Sequence, residues 1–207
     1  MKQGFFITFE GVEGAGKSTQ IRLLKAALEA EGYAVCMTRE PGGDKVAEGV
    51  RALLLSQEMT ARTELLLFLA ARAQNVELVV RPHLEAGGIV LCDRYTDSSI
   101  AYQGVARRLG RDSVAVLNDF ATDHLQPDLT LLLDLPPEVG LARQQDRNRM
   151  EAESLSFHQA VRVGFLAEAE RDPKRFRVLS AETDVETLHA QILGTVKDSL
   201  KSGSIES

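Results

Sequence analysis

The fold is decided by the stretch Gly11-Val12-Glu13-Gly14-Ala15-Gly16-Lys17-Ser18, which matches the pattern G-x-x-x-x-G-K-[ST]. Its glycines let the backbone turn N–H groups inward around phosphate oxygens. The lysine adds a positive charge near the β- and γ-phosphates, and the serine hydroxyl is suited to bind Mg²⁺. The stretch therefore predicts a phosphate-binding loop, or P-loop, for a nucleoside triphosphate.

The loop lies between a predicted strand and a predicted helix, as this motif requires. A short aromatic and β-branched run at 4–9 precedes it and is typical of a buried strand. Apolar residues then recur at helical spacing over 18–30, and Gly32 ends that helix. The positive end of such a helix points at the bound phosphates. We predict that ATP is bound by all eight residues of the loop and by Thr19.

Strands and helices alternate along the rest of the chain. Further strands are predicted at 33–38, 89–92, 129–135 and 177–179. Helices are predicted at 46–55, 62–80, 112–124 and 185–200. Pro82 is expected to end the helix at 62–80. A further helix is predicted to begin at 139 and, after a polar segment, to resume up to 170. This alternation predicts an α/β fold with a mostly parallel sheet. Since no linker or repeat interrupts it, we expect one domain over 1–207, with the charged segment at about 143–153 as a lid.

Composition restricts the class of protein. The chain is 44% hydrophobic and 26% charged, which is typical of a globular protein in water. A net charge of −6 argues against a nonspecific nucleic-acid binder, which is normally basic. Cys36 and Cys92 form no metal-binding pattern and are expected to be buried thiols. With no signal-peptide pattern and no membrane-length apolar run, we expect a cytoplasmic protein with neither nucleic-acid nor membrane partners.

A P-loop alone does not name the reaction, because GTPases, motor ATPases and small-molecule kinases share it. A GTPase needs an Asn-Lys-x-Asp sequence, and no Asn-Lys pair occurs in this chain. Asp93 stands at the tip of a predicted core strand, where it is placed to hold Mg²⁺ together with Ser18. Arg94 could hold a second phosphate. The alternative for Asp93 and Arg94 is an ordinary surface ion pair.

With these motifs in place, the chain resembles the bacterial thymidylate kinases, which make dTDP from dTMP and ATP. The resemblance runs from Phe5 to about Glu170. Four signatures carry it, with a weaker fifth, Leu-Phe-Leu-Ala-Ala-Arg at 67–72. The four are the P-loop with its preceding Glu10, Thr-Arg-Glu-Pro-Gly-Gly at 38–43, Asp-Arg-Tyr at 93–95 and Ala-Tyr-Gln-Gly at 101–104. The resemblance implies a five-stranded parallel sheet, a homodimer, and phosphoryl transfer that depends on ATP and Mg²⁺.

It also implies roles in dTMP binding. Phe68 stacks on the thymine ring, Arg72 hydrogen-bonds a base carbonyl, and Arg39 and Arg94 hold the dTMP phosphate. Phe68 and Arg72 are four residues apart on a predicted helix, so they share a face. An aromatic plane beside a forked donor suits a flat base with a carbonyl edge. The alternative for Phe68 is a place in the core.

Four more positions are implied to contact dTMP. Glu13 takes the P-loop carboxylate position near the acceptor's sugar and phosphate. Tyr102 packs against the deoxyribose where a 2′-hydroxyl would sit, and Gln103 reaches the base or the sugar. Glu13 stands where many family members carry Asp, and Ser99 where some carry Asn, so these two contacts depart from the common pattern.

The catalytic arginine is expected in the lid. Some thymidylate kinases carry it in the P-loop and others in the lid. Because no variable P-loop position here is basic, this chain resembles the second kind. We predict Arg149 as the better candidate and Arg147 as the second, with Arg143 binding ATP; a solvated charged segment is the alternative. Lys17, Arg94 and Glu13 complete the predicted catalytic set.

Three other functions are compatible with these motifs. They are a kinase for another nucleoside or nucleotide, a nucleotide-gated binding protein that hydrolyses ATP slowly, and an inactive scaffold. The intact Lys17, Ser18, Asp93 and Arg94 argue against the last.

Overall fold

The computed structural model describes residues 4–143 and 148–203. Its centre is a sheet of five parallel strands in the order β2-β3-β1-β4-β5. The strands are β1 Phe5–Glu10, β2 Val35–Arg39, β3 Ile89–Asp93, β4 Leu129–Asp134 and β5 Phe176–Ser180. The predicted five-stranded parallel sheet is therefore confirmed.

Helices connect the strands and cover the sheet. They are α1 Lys17–Ala30, α2 Lys45–Ser56, α3 Ala61–Asn75, α4 Arg81–Glu85, α5 Thr96–Ser99, α6 Arg111–Thr122, α7 Pro137–Ala142, α8 Leu155–Arg171 and α9 Val185–Gly203. Two π-helical segments, Val76–Val80 and Ile100–Ala106, continue α3 and α5.

The central strands are buried on both faces. Successive side chains of a strand point to opposite faces, so the paired Phe6 and Val90 belong to one apolar cluster and the paired Ile7 and Leu91 to another. This burial explains why the strands are continuous apolar runs. Because β1 and β3 are parallel neighbours, the P-loop and Asp93 emerge side by side at one end of the sheet.

The prediction that Pro82 ends its helix is wrong, because the chain stays helical to Glu85. Proline removes a donor and clashes with the carbonyl four residues earlier in a regular α-helix. Here the preceding π-helical turn widens the backbone, and the Arg81 N–H donates to the carbonyl of Val76, five residues back. The segment from Thr96 to Ala106 was not predicted to be helical, and it carries Tyr102 and Gln103.

Within the two described ranges, no helix combines the length and the apolar character needed to cross a bilayer.

Candidate functional site

The P-loop is a tight turn between β1 and α1. Gly11, Gly14 and Gly16 have φ values of 138°, 72° and 85°, a region that side chains with a Cβ rarely adopt. Helix α1 begins at Lys17, so its N-terminus opens directly onto the loop. A helix N-terminus of this kind binds anions through its free N–H groups and its dipole. Thr19 lies in the first turn of the same helix.

Helix α7 braces the loop from the outside. The two segments meet at Gly14 and Gly140. A Cβ on Gly14 would overlap the backbone of Gly140, and a Cβ on Gly140 would overlap the backbone of Glu13. Arg143, just past the end of α7, donates from Nη1 to the carbonyl of Gly14 at 2.9 Å. The start of the predicted lid is thus in contact with the P-loop, where Arg143 was predicted to meet ATP.

Lys17 lies inside the curve of the loop. Its Nζ donates to the carbonyls of Gly11 and Val12 at 3.0 Å each, and only 7% of the residue is exposed. Burial lowers its pKa, with Arg94 acting in the same direction and Glu13 opposing it. The ammonium group is therefore held at the centre of the loop by acceptors that a bound phosphate can replace.

Ser18 and Asp93 meet at the junction of α1 and β3. Ser18 Oγ donates to Asp93 Oδ2 at 2.8 Å. A hydroxyl and a carboxylate are hard oxygen ligands of the kind that Mg²⁺ prefers, and Mg²⁺ usually takes its remaining ligands from water and substrate phosphates. Among the described residues no group of three or more His, Cys, Asp or Glu side chains could hold a metal by itself. The pair fits a metal that is shared with a nucleotide.

Arg94, Glu13 and Tyr102 form a cluster beside the loop. Arg94 has φ 70°, an uncommon backbone conformation for a residue with a side chain and one that often marks functional sites. Its Nη2 contacts Glu13 Oε2 at 2.5 Å and its Nη1 contacts the carbonyl of Gly11 at 3.0 Å. The Tyr102 hydroxyl donates to Glu13 Oε1 at 2.9 Å. Glu13, a P-loop residue, thus contacts both Arg94 and Tyr102, which the sequence predicted to bind dTMP.

The charges in this cluster are mutually stabilised. Burial acts to raise the pKa of Glu13, but Arg94 and Lys17 outweigh it and lower that pKa to about 2. Burial likewise acts to lower the pKa of Arg94, but Glu13 holds it above its ordinary value. The carboxylate and the guanidinium are therefore both ionised at neutral pH, and an incoming phosphate would compete with Glu13 for Arg94.

A cavity of about 110 Å³ opens next to this cluster. It brings together most of the side chains that the sequence predicted for dTMP. These are Glu13, Phe68, Arg72, Arg94, Ser99, Tyr102 and Gln103.

Arg39 does not line that cavity. Its Nη2 donates to both carboxylate oxygens of Glu48, at 2.9 and 3.0 Å, and it lines a separate cavity of about 300 Å³ together with Ser18 and Asp93. Since more than half of its side chain is exposed, the guanidinium is free to exchange partners.

Arg72 is the most heavily bonded side chain of the cavity. It is 1% exposed, and Nε contacts Glu40 at 2.6 Å. Nη1 donates to Ser99 and to Asn118, and Nη2 donates to the carbonyl of Tyr95. These contacts use four of the five N–H groups of the guanidinium. They fix the plane of Arg72 rigidly, as a residue that recognises a base requires.

The lid arginines lie in different places. Arg149 forms an ion pair with Glu64 at 2.8 Å and donates to the carbonyl of Leu54 at 2.9 Å, so it contacts α2 and α3 and not the P-loop. Arg147 lies outside the described residues. Of Arg143 and Arg149, the two lid arginines among the described residues, Arg143 is the one that contacts the loop.

Sequence reasoning missed Arg51 and gave Glu40 no role. Arg51 lines the cavity, donates to the carbonyl of Pro41 at 2.9 Å, and has its pKa lowered by burial. Nothing distinguished it from an ordinary helix arginine. Glu40 anchors Arg72, and its place inside the Arg-Glu-Pro signature was the one signal for it.

Comparison with known proteins gives one consistent result. The family model described as thymidylate kinase matches residues 9–192. A thymidylate kinase of Geotalea uraniireducens is 50% identical over 97% of this chain and 100% of its own length. One of Bacillus pumilus is 45% identical over 98% of this chain and 99% of its own. The crystal structure of thymidylate kinase from Ehrlichia chaffeensis superposes with a TM-score of 0.80 at 33% identity, covering 94% of this chain and 99% of that one.

Proposed function

The chain belongs to the thymidylate kinase family, and we propose that it transfers the γ-phosphoryl group of ATP to dTMP, giving dTDP and ADP. The observation that carries the proposal is the shared cluster of Arg94, Glu13 and Tyr102, which connects a P-loop to a cavity lined by Phe68 and Arg72. One end of this arrangement suits a triphosphate and the other a flat base.

Phosphoryl transfer needs two nucleotides held in line and the charge of the transferring group neutralised. We propose that the P-loop amides and Lys17 hold the donor phosphates, since the loop glycines and the α1 N-terminus favour an anion there. Arg94 and Arg39 hold the acceptor phosphate. Both are paired with carboxylates, Glu13 and Glu48, that a dianionic phosphate can displace.

Ser18 and Asp93 would hold the Mg²⁺ of the ATP complex, which supplies neutralisation of charge on the β- and γ-phosphates. Their own task is to fix one edge of the triphosphate relative to the P-loop. We further propose that 1–207 is a single domain whose lid, at about 143–153, supplies an arginine to the γ-phosphoryl in a closed state. Arg149 is proposed for that role and Arg147 as the second candidate, which requires Arg149 to leave Glu64.

The remaining roles concern the nucleoside. We propose that Phe68 stacks on thymine, Arg72 donates to a base carbonyl and Tyr102 excludes a 2′-hydroxyl. Their presence in one cavity with Ser99 and Gln103 supports this. The Glu13–Tyr102 hydrogen bond supports the last role in particular, because it holds the ring in one position.

We also propose a homodimer in the cytoplasm. Val116 and Phe120 share one face of α6, and Phe120 is 86% exposed. Leu66, on the neighbouring α3, is exposed as well. A contiguous exposed apolar patch is a common mark of a protein interface, and these side chains on two neighbouring helices support the proposal.

A coupled assay of ADP release across dTMP, dUMP, dCMP and thymidine tests the proposed function. We expect dTMP to give the highest kcat/KM, dUMP less and dCMP far less. ATP turnover that is indifferent to the acceptor would instead favour a nucleotide-gated binding protein, and a preference for another monophosphate would favour a different kinase.

A further inference from the structure

Glu64, on α3, is the hub of a buried network that includes the lid arginine Arg149. The residue is 1% exposed. Its carboxylate accepts hydrogen bonds from Gln103 Nε2 at 2.8 Å and from Arg107 Nε and Nη2 at 3.2 and 3.1 Å. Arg149 Nη2 lies 2.8 Å from its Oε2. Every partner is a donor, as an ionised carboxylate requires.

The carboxylate of Glu64 is ionised at neutral pH. Burial acts to raise its pKa, but hydrogen bonds from Arg107, Gln103 and Arg149 outweigh burial and hold it below its ordinary value. An ionised carboxylate can only accept, so the amide nitrogen of Gln103 must face Glu64. The contact with Glu64 therefore fixes which end of the Gln103 amide is the nitrogen and which is the oxygen.

Because Nε2 of Gln103 is bonded to Glu64, the amide oxygen Oε1 is the polar atom of this side chain that remains to face the cavity. Gln103 is 1% exposed and lines the cavity next to Phe68 and Arg72. Within residues 4–143 and 148–203, nothing donates a hydrogen bond to this oxygen. The cavity therefore contains a fixed acceptor that awaits a donor from the ligand.

Arg72 supplies a donor close to this acceptor. One N–H of its Nη2 is left after its contacts with Glu40, Ser99, Asn118 and Tyr95. Ser99, which accepts from Arg72, precedes Gln103 by four residues on one continuous helical segment. Arg72, Ser99 and Gln103 all line the same cavity, so the remaining donor and the acceptor belong to one site.

We propose that Glu64 is a positioning residue for base selection: by fixing the Gln103 amide, it makes the cavity present an acceptor beside the Arg72 donor. The inference rests on the proposed function. Thymine offers N3–H and O4 on one edge, which is a donor followed by an acceptor. Cytosine offers the reverse, an unprotonated N3 and an amino group, so both of its contacts would be mismatched.

The test compares dTMP with 5-methyl-dCMP, which keeps the methyl group and changes only the hydrogen-bonding edge. The variant Glu64→Gln is close in shape, but its amide can donate, so Gln103 is no longer held in one orientation. We expect the ratio of kcat/KM for dTMP to that for 5-methyl-dCMP to fall at least about tenfold. In the matched control, Glu168→Gln, the same change is made at a buried glutamate that pairs with Arg111 and does not line the cavity. We expect its ratio to stay within about twofold of the wild-type ratio.

A second measurement needs no variant. Calorimetry compares the binding of dTMP and 5-methyl-dCMP directly, and we expect the wild-type protein to bind 5-methyl-dCMP at least about tenfold more weakly than dTMP. Equal affinity would overturn the inference. So would an unchanged ratio in folded Glu64→Gln, or an equal fall in Glu168→Gln. Failure of the wild type to turn over dTMP would overturn the proposed function instead, and the binding comparison, repeated with Glu64→Gln, would still test base selection.

Discussion

Lys17 is the residue on which phosphoryl transfer should depend most. Its Nζ is held 3.0 Å from the carbonyls of Gly11 and Val12, at the centre of the curve that would surround a phosphate. A charge held there acts mainly on the charge that develops during transfer. We expect Lys17→Ala to lower kcat by at least about a hundredfold with little change in the melting temperature. A folded variant with near wild-type kcat would rule out this role.

Glu10 should make stability depend on pH in a measurable way. Its buried carboxylate accepts from Tyr95 N at 2.7 Å and from Ser98 Oγ at 2.6 Å. Burial, assisted by Asp97, raises the pKa of Glu10 from 4.5 to about 8. The folded state then holds a proton that the unfolded state releases, so this contribution is complete below pH 4.5 and is lost as the pH rises through 8. At roughly 1.4 kcal/mol per pH unit, it amounts to at most about 5 kcal/mol.

The matching variant is Glu10→Gln, which cannot titrate. We expect the free energy of unfolding of the wild type to fall relative to that of the variant between pH 4.5 and pH 8. Denaturant unfolding at several pH values measures the difference in the free energy of unfolding between the two proteins. Other titrating groups are the same in both proteins, so their contributions cancel in this difference. Parallel curves for the two proteins would mean that Glu10 is ionised throughout this range.

Site residues within short motifs could be predicted from the sequence, while the buried residues that hold them in place could not. Phe68, Arg72 and Tyr102 belong to recognisable signatures, and the structure brings them to one cavity. Glu64 has no such signature, because an isolated glutamate on a helix resembles a solvated one. Its partner Gln103 follows 39 residues later, a distance that local patterns do not bridge.

At the scale of elements, the predicted starts of α2 and α3, at 46 and 62, lie within one residue of the observed starts. The structure shows a side-chain cap at each of these starts, because Asp44 accepts two backbone N–H groups and Thr60 accepts one. The segment 96–106 lacks such a cap, begins with the polar run 96–99 and contains Gly104, so its local sequence does not predict a helix. It is helical because it is buried and packed against α8, which is a tertiary effect.

The lid is the element whose contribution most needs a test. Arg149 now contacts Glu64, so it can reach the γ-phosphoryl only if the lid moves. We expect Arg149→Ala to lower kcat by about a thousandfold, with a much smaller change in the KM for dTMP, because an arginine supplied on closure acts on the transferring group. Alanine variants of Arg143 and Arg147 rank the three. If every variant kept kcat within a few-fold of wild type, the lid would be a cover without a catalytic part.

At the scale of the whole molecule, the apolar face of α6 should hold two copies together. We expect the wild type to sediment at twice the chain mass of 22.7 kDa. Phe120→Arg, which places a charge on this face, should shift it to a monomer. Val163→Arg, at another exposed apolar position on α8, is the matched control and should leave the dimer intact. A monomeric wild type, or equal effects of the two variants, would contradict this interface.

The central claim is that the P-loop and the neighbouring cavity act on two nucleotides in one reaction. Analysis of the products tests it most directly. The protein is incubated with ATP, Mg²⁺ and dTMP, and the nucleotides are separated and quantified. We expect dTDP and ADP to appear in equal amounts, with ADP formation negligible when dTMP is left out. ADP and inorganic phosphate without dTDP, formed at the same rate with or without dTMP, would contradict the account.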